Sequence, residues 1–318
     1  MTASAPPGRG GILPAALPDA AQRATAGTGS RRAPATSARR RFRRFSPRRI
    51  RTSVLMTVVF VVAFCFFALP LFVLLSSAFT ANATDSFQVP SHPTLGNFIG
   101  VATGPGFGLS LLNGFILAAG SAVLAAALGA VAAYPLSRFR FRGRVGFLLV
   151  VLFVTGVPVT ALIVPLFEFF RSFNWLDSLL PVTLLMAAFA TPISIWLMKT
   201  FLDNVDPGFE EAAWVDGANR IQGYVRVVLP IMTSGLLVVF VLNFIQGWAN
   251  FYIPFILLST TSKLPIAVTI YQFFGSYGAV EYGRLAAFSI FYSIPAIVLY
   301  LFTGGRFGGS FASGAFKG

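Results

Sequence analysis

The chain has 318 residues, 56% of them hydrophobic and only 11% charged; soluble domains carry about 25% charged side chains, so a water-soluble globule is excluded. One cysteine, Cys65, excludes an internal disulfide framework or a cysteine-cluster metal site, and one histidine, His92, excludes a multi-histidine zinc site built by this chain alone. The formal charge of +14 is local: residues 1–51 hold twelve of the 24 basic residues and one acid, Asp19, which leaves +3 for all the rest.

The chain therefore opens on a basic tail. Residues 1–53 are rich in Ala, Pro, Gly, Ser and Arg and nearly free of acids, a composition that cannot bury enough apolar surface to offset its ordering entropy, so they are expected to be disordered. The run Arg39-Arg40-Arg41-Phe42-Arg43-Arg44, followed by Arg48, Arg49 and Arg51, reads as a juxtamembrane anchor on the cytoplasmic leaflet. An Arg-rich presequence is the alternative reading of the same composition. No aromatic-interleaved nucleic-acid fold accompanies the charge, so no nucleic-acid partner is expected.

Beyond residue 51 the informative quantity is the distance between charges. A helix needs about 20 apolar residues to cross a bilayer, and charge-free windows of that length run 52–84, 86–137, 145–167, 178–198, 227–262 and 285–305. They predict helices near 54–79, 109–136, 146–170, 179–198, 227–258 and 285–303, helical because open strand edges cannot be satisfied in lipid. Pro90, Pro93, Gly96, Gly100, Gly104, Pro105, Gly106 and Gly108 make 86–108 a loop. The expected fold is all-α, a polytopic membrane protein of six transmembrane helices over 54–318, with the bilayer as its solvent.

With the N-terminus inside, 1–53, 137–145, 199–226 and 304–318 hold 21 of the 24 basic residues, and only Arg171, Lys263 and Arg284 fall outside. The positive-inside rule then places both termini in the cytoplasm. In the second span Ala122, Ala126 and Ala130 form one small-residue stripe and Ala125, Gly129 and Ala133 another, which predicts close helix packing within a bundle or at a subunit interface. Pro70, Pro158, Pro165, Pro192, Pro254 and Pro295 are candidate kinks. Glu168 and Arg171 read as an interfacial ion pair. The fifth span carries Asn243, Gln246, Trp248, Asn250 and Tyr252. Intramembrane amides either bond helix to helix or line a solute pathway, and amides with aromatics suit a neutral polyhydroxylated solute. No buried Asp/Glu/His relay marks ion-coupled transport.

One inside loop departs from this pattern. Residues 203–226 hold half of all the acids: Asp203, Asp206, Glu210, Glu211 and Asp216. Asp206-Pro207 reads as a helix start, Glu210 and Glu211 suit its N-terminus, Ala212 and Ala213 keep a face small, and Gly217 is the C-terminal turn. A second short helix leads to Leu229-Pro230. The object is a helix–turn–helix knob, apt for docking a partner that carries basic residues.

The spacing Glu211-Ala212-Ala213, three residues, Gly217, then Leu229-Pro230 resembles the EAA loop of permease subunits in binding-protein-dependent ABC importers, and EEAAWVDGAN is similar to the carbohydrate, maltose-type branch. LGNF (95–98), AAYPLSRFRFRG (132–143), PLFEFFRSFNWLDSLLP (165–181), WANFYIPFILL (248–258) and SGAFKG (313–318) agree with it along 55–318. The run Gly304-Gly305-Arg306-Phe307-Gly308-Gly309 departs from the polar residues usual there. The resemblance implies the type I importer permease bundle. It implies a loop that docks a dimeric ABC ATPase through Glu210, Glu211, Ala212, Ala213, Asp216, Gly217, Leu229 and Pro230, with a second, different permease subunit and an extracellular or periplasmic solute-binding protein as further partners. The implied function is sugar or polyol import by alternating access across the cytoplasmic membrane. No Gly-Lys-Ser/Thr phosphate loop occurs, so ATP is expected to be bound and hydrolysed by a partner, this chain being no enzyme and carrying no cofactor or metal. The competing reading is an autonomous carrier or channel without an ATPase.

Overall fold

The computed structural model describes residues 47–84, 86, 88–273 and 280–314. The chain divides into two compact units, Met1–Val58 and Val59–Gly318, and the second carries the bundle. The Arg-rich segment as far as residue 46, with the disorder expected of it, lies outside the described residues.

Every element among the described residues is helical. Helix α1 spans Pro47–Ala78, starting before the expected 54 with proline at its first position, where the absent N–H costs nothing. A short α2 (Gly96–Ala102) punctuates the Gly/Pro-rich loop, and α3 (Phe107–Arg138) follows. The third window is broken: α4 (Arg144–Thr155) and a helical stretch ending in α5 (Ile163–Ser172) meet at 84°. Gly156 and Pro158 fall in the break, where glycine ends one helix and proline bars its continuation. Next come α6 (Leu179–Asp203), α7 (Gly208–Val215), α8 (Arg220–Gly223), a π-helical turn over Tyr224–Val228, α9 (Leu229–Ile231) and α10 (Thr233–Trp248). Residues Arg220–Ile231 and α10 meet at 73°, so the continuous helix expected over 227–258 is bent at its start and ends at Trp248. The chain closes with α11 (Tyr252–Leu257), α12 (Ile266–Thr269) and α13 (Tyr282–Gly314). Helix α13 continues through residues assigned from sequence to the C-terminal tail.

Among the described residues four helices are each long and apolar enough to cross a membrane, or up to six spans if each bent pair counts as one. Pro70, Pro192 and Pro295 sit inside continuous helices, so the sharp breaks come at the two bends instead.

Helix α3 is the central strut, packed along α6 and α10. Both of its small-residue stripes are buried. At Gly129 the reason is direct, since a Cβ there would lie 2.9 Å from the Ser194 carbonyl carbon and Cβ of α6. The outer surface of the second unit is apolar instead: Phe60, Phe64, Phe66 and Phe67 on α1 and Phe153 on α4 are all exposed. A surface of this kind is stable against acyl chains or another helical subunit, not against water.

Candidate functional site

The knob predicted over 203–226 is present, and local chemistry builds it at both ends. The Asp206 Oδ1 accepts the Gly208 N–H at 2.8 Å, and α7 starts there, with Pro207 in the capping position. Its far end is a Schellman turn: Gly217 N–H donates to the Trp214 carbonyl and Ala218 N–H to the Ala213 carbonyl, both at 3.0 Å. This requires Gly217 at φ +89°, a left-handed conformation that a side chain resists. Helix α8 opens with a capping box, in which Asn219 Oδ1 accepts the Gln222 N–H at 2.8 Å while Gln222 Oε1 accepts the Asn219 N–H at 3.0 Å. The result is a rigid elbow, 205–231, between α6 and α10.

Its two adjacent glutamates have different fates. Consecutive helical positions point about 100° apart, so the two carboxylates project in different directions. Glu211, Ala212, Asp216 and Gly217 are exposed and Ala213 is half-buried. Glu210, grouped from sequence with the docking acids, is 1% exposed. Its Oε1 accepts Arg138 Nε at 2.6 Å and its Oε2 accepts the Tyr134 hydroxyl at 3.0 Å, while a second Arg138 nitrogen donates to the Val205 carbonyl at 2.9 Å. Leu229 is half-buried and Pro230 exposed. Sequence reasoning counted charges here and missed the apolar crown: Phe209, Val215 and Ile221 project outward, Val215 88% exposed. Three outward apolar residues on a loop rich in charge were the available signal.

The fifth-span residues divide. Asn243, Gln246 and Asn250 line one cavity of about 200 Å³ with Ser121 of α3, Met186 and Phe189 of α6, and Thr155 and Val157 at the α4–α5 break. Asn243 Nδ2 donates to Ser194 Oγ at 2.7 Å, a helix-to-helix bond, and Asn250 Oδ1 accepts the Ile253 N–H at 3.2 Å, starting α11. Trp248 does not line the cavity. It is buried, stacked on Phe244 and Tyr292, and donates its indole N–H to the Tyr292 carbonyl at 2.9 Å. Tyr252 is exposed and also away from the cavity. Irregular backbone beside a polar cavity is the arrangement membrane proteins tolerate, because the cavity satisfies the freed groups.

At the opposite end of the bundle Asp177 forms a clasp that the sequence did not flag. Its carboxylate accepts the N–H groups of Ser259 and Thr260 at 3.0 Å each, the Thr260 hydroxyl at 2.6 Å and Lys263 Nζ at 2.8 Å. Those bonds, the Lys263 contact foremost, hold its carboxyl well below the usual carboxylate range. Glu168 and Arg171 do approach, at 3.8 Å on an exposed surface. Among the described residues no three His, Cys, Asp or Glu side chains converge as a metal site would require.

A capped elbow on an apolar helical bundle, with an amide-lined cavity beside a broken span, is the geometry on which comparison with known proteins turns. Residues 125–305, more than half of the chain, match the family model for binding-protein-dependent transport system inner membrane components. The chain belongs to that family. As such an inner membrane component it is a multi-pass cell-membrane transport permease. Among its relatives it is 31% identical to the trehalose transport system permease protein SugB of Mycobacterium tuberculosis, over 75% of this chain and 88% of that one. It is 27% identical to the trehalose/maltose transport system permease protein MalG of Thermococcus litoralis, over 84% and 95%. The diacetylchitobiose uptake system permease protein NgcG of Streptomyces coelicolor is 29% identical over 78% and 83%. In fold the chain matches a chain in the crystal structure of a bacterial ABC transporter that imports alginate, with a TM-score of 0.69 at 22% identity, covering 83% of this chain and 99% of that one.

Proposed function

We propose that this permease subunit moves a sugar or polyol by alternating access, driven by an ABC ATPase dimer that docks on the elbow. The observation that carries this reading is the elbow itself: a short helix capped at both ends that presents Phe209, Val215 and Ile221 beside Glu211 and Asp216. An exposed apolar crown with Glu211 and Asp216 at hand and Arg220 beside Ile221 has no stabilising role for the chain alone, and fits a cleft with an apolar floor and a charged rim. The elbow then faces the cytoplasm, as do both termini, and the Asp177 clasp faces outward, in keeping with the distribution of Lys and Arg. A solute-binding protein delivers from that outer side, and a second, different permease subunit completes the pathway. The sugar assignment draws on the cavity, whose three amides can bond hydroxyl groups without a charged partner, and on the saccharides named for SugB, MalG and NgcG.

The test is reconstitution of the assembled importer in proteoliposomes with its binding protein, using radiolabelled trehalose, maltose, diacetylchitobiose and a mixture of amino acids as probes. ATP-dependent accumulation of a saccharide supports the reading. Accumulation of amino acids instead, or of saccharide without ATP, contradicts it.

A further inference from the structure

The elbow is joined by the chain to α6 and α10, yet its polar ties run elsewhere. Among the described residues, every side-chain hydrogen bond between 205–231 and a residue distant in sequence goes to α3. Arg138 and Tyr134, in the last two turns of α3, hold both oxygens of Glu210, and Arg138 also holds the Val205 carbonyl. Farther along the elbow, Tyr224 donates its hydroxyl to the Ala130 carbonyl at 2.7 Å, with its ring 4.4 Å from that of Tyr134. The bond falls where the elbow backbone widens into a π-turn. Apolar packing around this region is shared with Met198 and Leu202 of α6, but apolar contacts slide, whereas directional bonds to a buried carboxylate do not.

We propose that Glu210, Arg138 and Tyr224 are positioning residues that lock the elbow to α3, so that force applied to the elbow moves α3 as one body with it. The inference rests on the permease reading and assigns its transmission path. The pair is suited to this role. The Glu210 side chain is 2% exposed and the Arg138 side chain 12%, and separating them strands a charge in a place water barely reaches. Both carboxylate oxygens are occupied, which fixes direction as well as distance. Helix α3 then supplies Ser121 to the amide-lined cavity and meets α6 backbone at Gly129. Displacing α3 therefore changes a cavity wall directly. Sequence connectivity alone would have given that role to α6 and α10.

The lock is tested in the complex of full-length chain and ATPase, in a C65S background, with spin labels on V225C in the elbow, away from its apolar crown, and L109C near the other end of α3. Both positions are exposed. Between the nucleotide-free and ATP-trapped complexes the distance should hold to within about 1 Å in the otherwise unaltered chain, and change by about 2 Å or more in E210A, the scale of a helix shift at an interface. E210Q, which keeps the shape and loses the charge, should fall between them. Y224F, which loses only the bond to Ala130, should shift in the same direction as E210A. If E210A does not fold, E210Q and Y224F carry the test. A distance that changes as much without these substitutions as with them overturns the lock, as does one that stays constant in every variant. Co-elution of the ATPase checks the permease reading separately, so failure of one is distinguishable from failure of the other.

Discussion

Gly217 concentrates the backbone requirement of the elbow in one residue. Its φ of +89° closes the Schellman turn with no neighbour within 4 Å of a prospective Cβ, so the obstacle to a side chain is conformational and not steric crowding from elsewhere. Gly217→Val should cost about 1–2 kcal/mol locally and deform the knob without disturbing the helices behind it. Membrane insertion should be normal while uptake per ATP hydrolysed falls, measured side by side in proteoliposomes; normal uptake would count against the docking role. Asp177 makes a pH prediction. Its carboxyl is held low in the folded state, so its stabilisation is complete above the unfolded carboxylate value, about pH 4, and is lost as pH falls through the folded value below it. Thermal unfolding in detergent should show Asp177→Asn destabilised by about 2 kcal/mol at neutral pH, with the gap to the native chain narrowing as the pH is lowered beneath 4. Gln246 faces the cavity, and Gln246→Ala should raise the KM for solute about fivefold, the worth of one hydrogen bond of about 1 kcal/mol, with thermal stability unchanged.

At the level of elements, the charge-free windows located the six candidate spans among the described residues, because an ionised side chain facing hydrocarbon is costly enough to leave its mark on the sequence. The bends were harder to see. Six prolines looked alike in the sequence, but Pro192 and Pro295 are carried inside continuous helices while Pro158 stands at a break. The difference lies in its neighbour Gly156, which ends α4 two residues earlier. Likewise Glu210 and Glu211 are the same residue type side by side, and only the position of Arg138, 72 residues away in sequence, decides which turns inward. Pattern within a segment was legible; partners from another helix were not. The small-residue stripes on α3 were legible and their consequence is measurable. Gly129→Val would drive a Cβ into the Ser194 backbone at 2.9 Å, and α3–α6 separation should cost about 1–3 kcal/mol, read as a lowered unfolding midpoint. An alanine in place of Phe64, 73% exposed on α1, should leave that midpoint nearly unchanged.

For the molecule as a whole, the elbow and the cavity lie on different parts of α3, and the helix between them is packed tightly enough on α6 to carry displacement. Three of the five residues singled out in the fifth span converge on the cavity: Asn243 and Gln246 lie three apart on one face of α10, and Asn250 follows in the link to α11. Trp248 falls on the other side of α10 and stacks on Tyr292 of α13, a contact that no reading of one span alone reveals. A nucleotide-hydrolysing subunit that grips this elbow must lie within reach of its crown. A photo-crosslinking residue at Ile221, 74% exposed, in the assembled membrane complex tests it most directly. One dominant adduct is expected, containing an ABC ATPase, with a yield that changes on adding ATP. Adducts confined to lipid or to proteins other than an ATPase would contradict it.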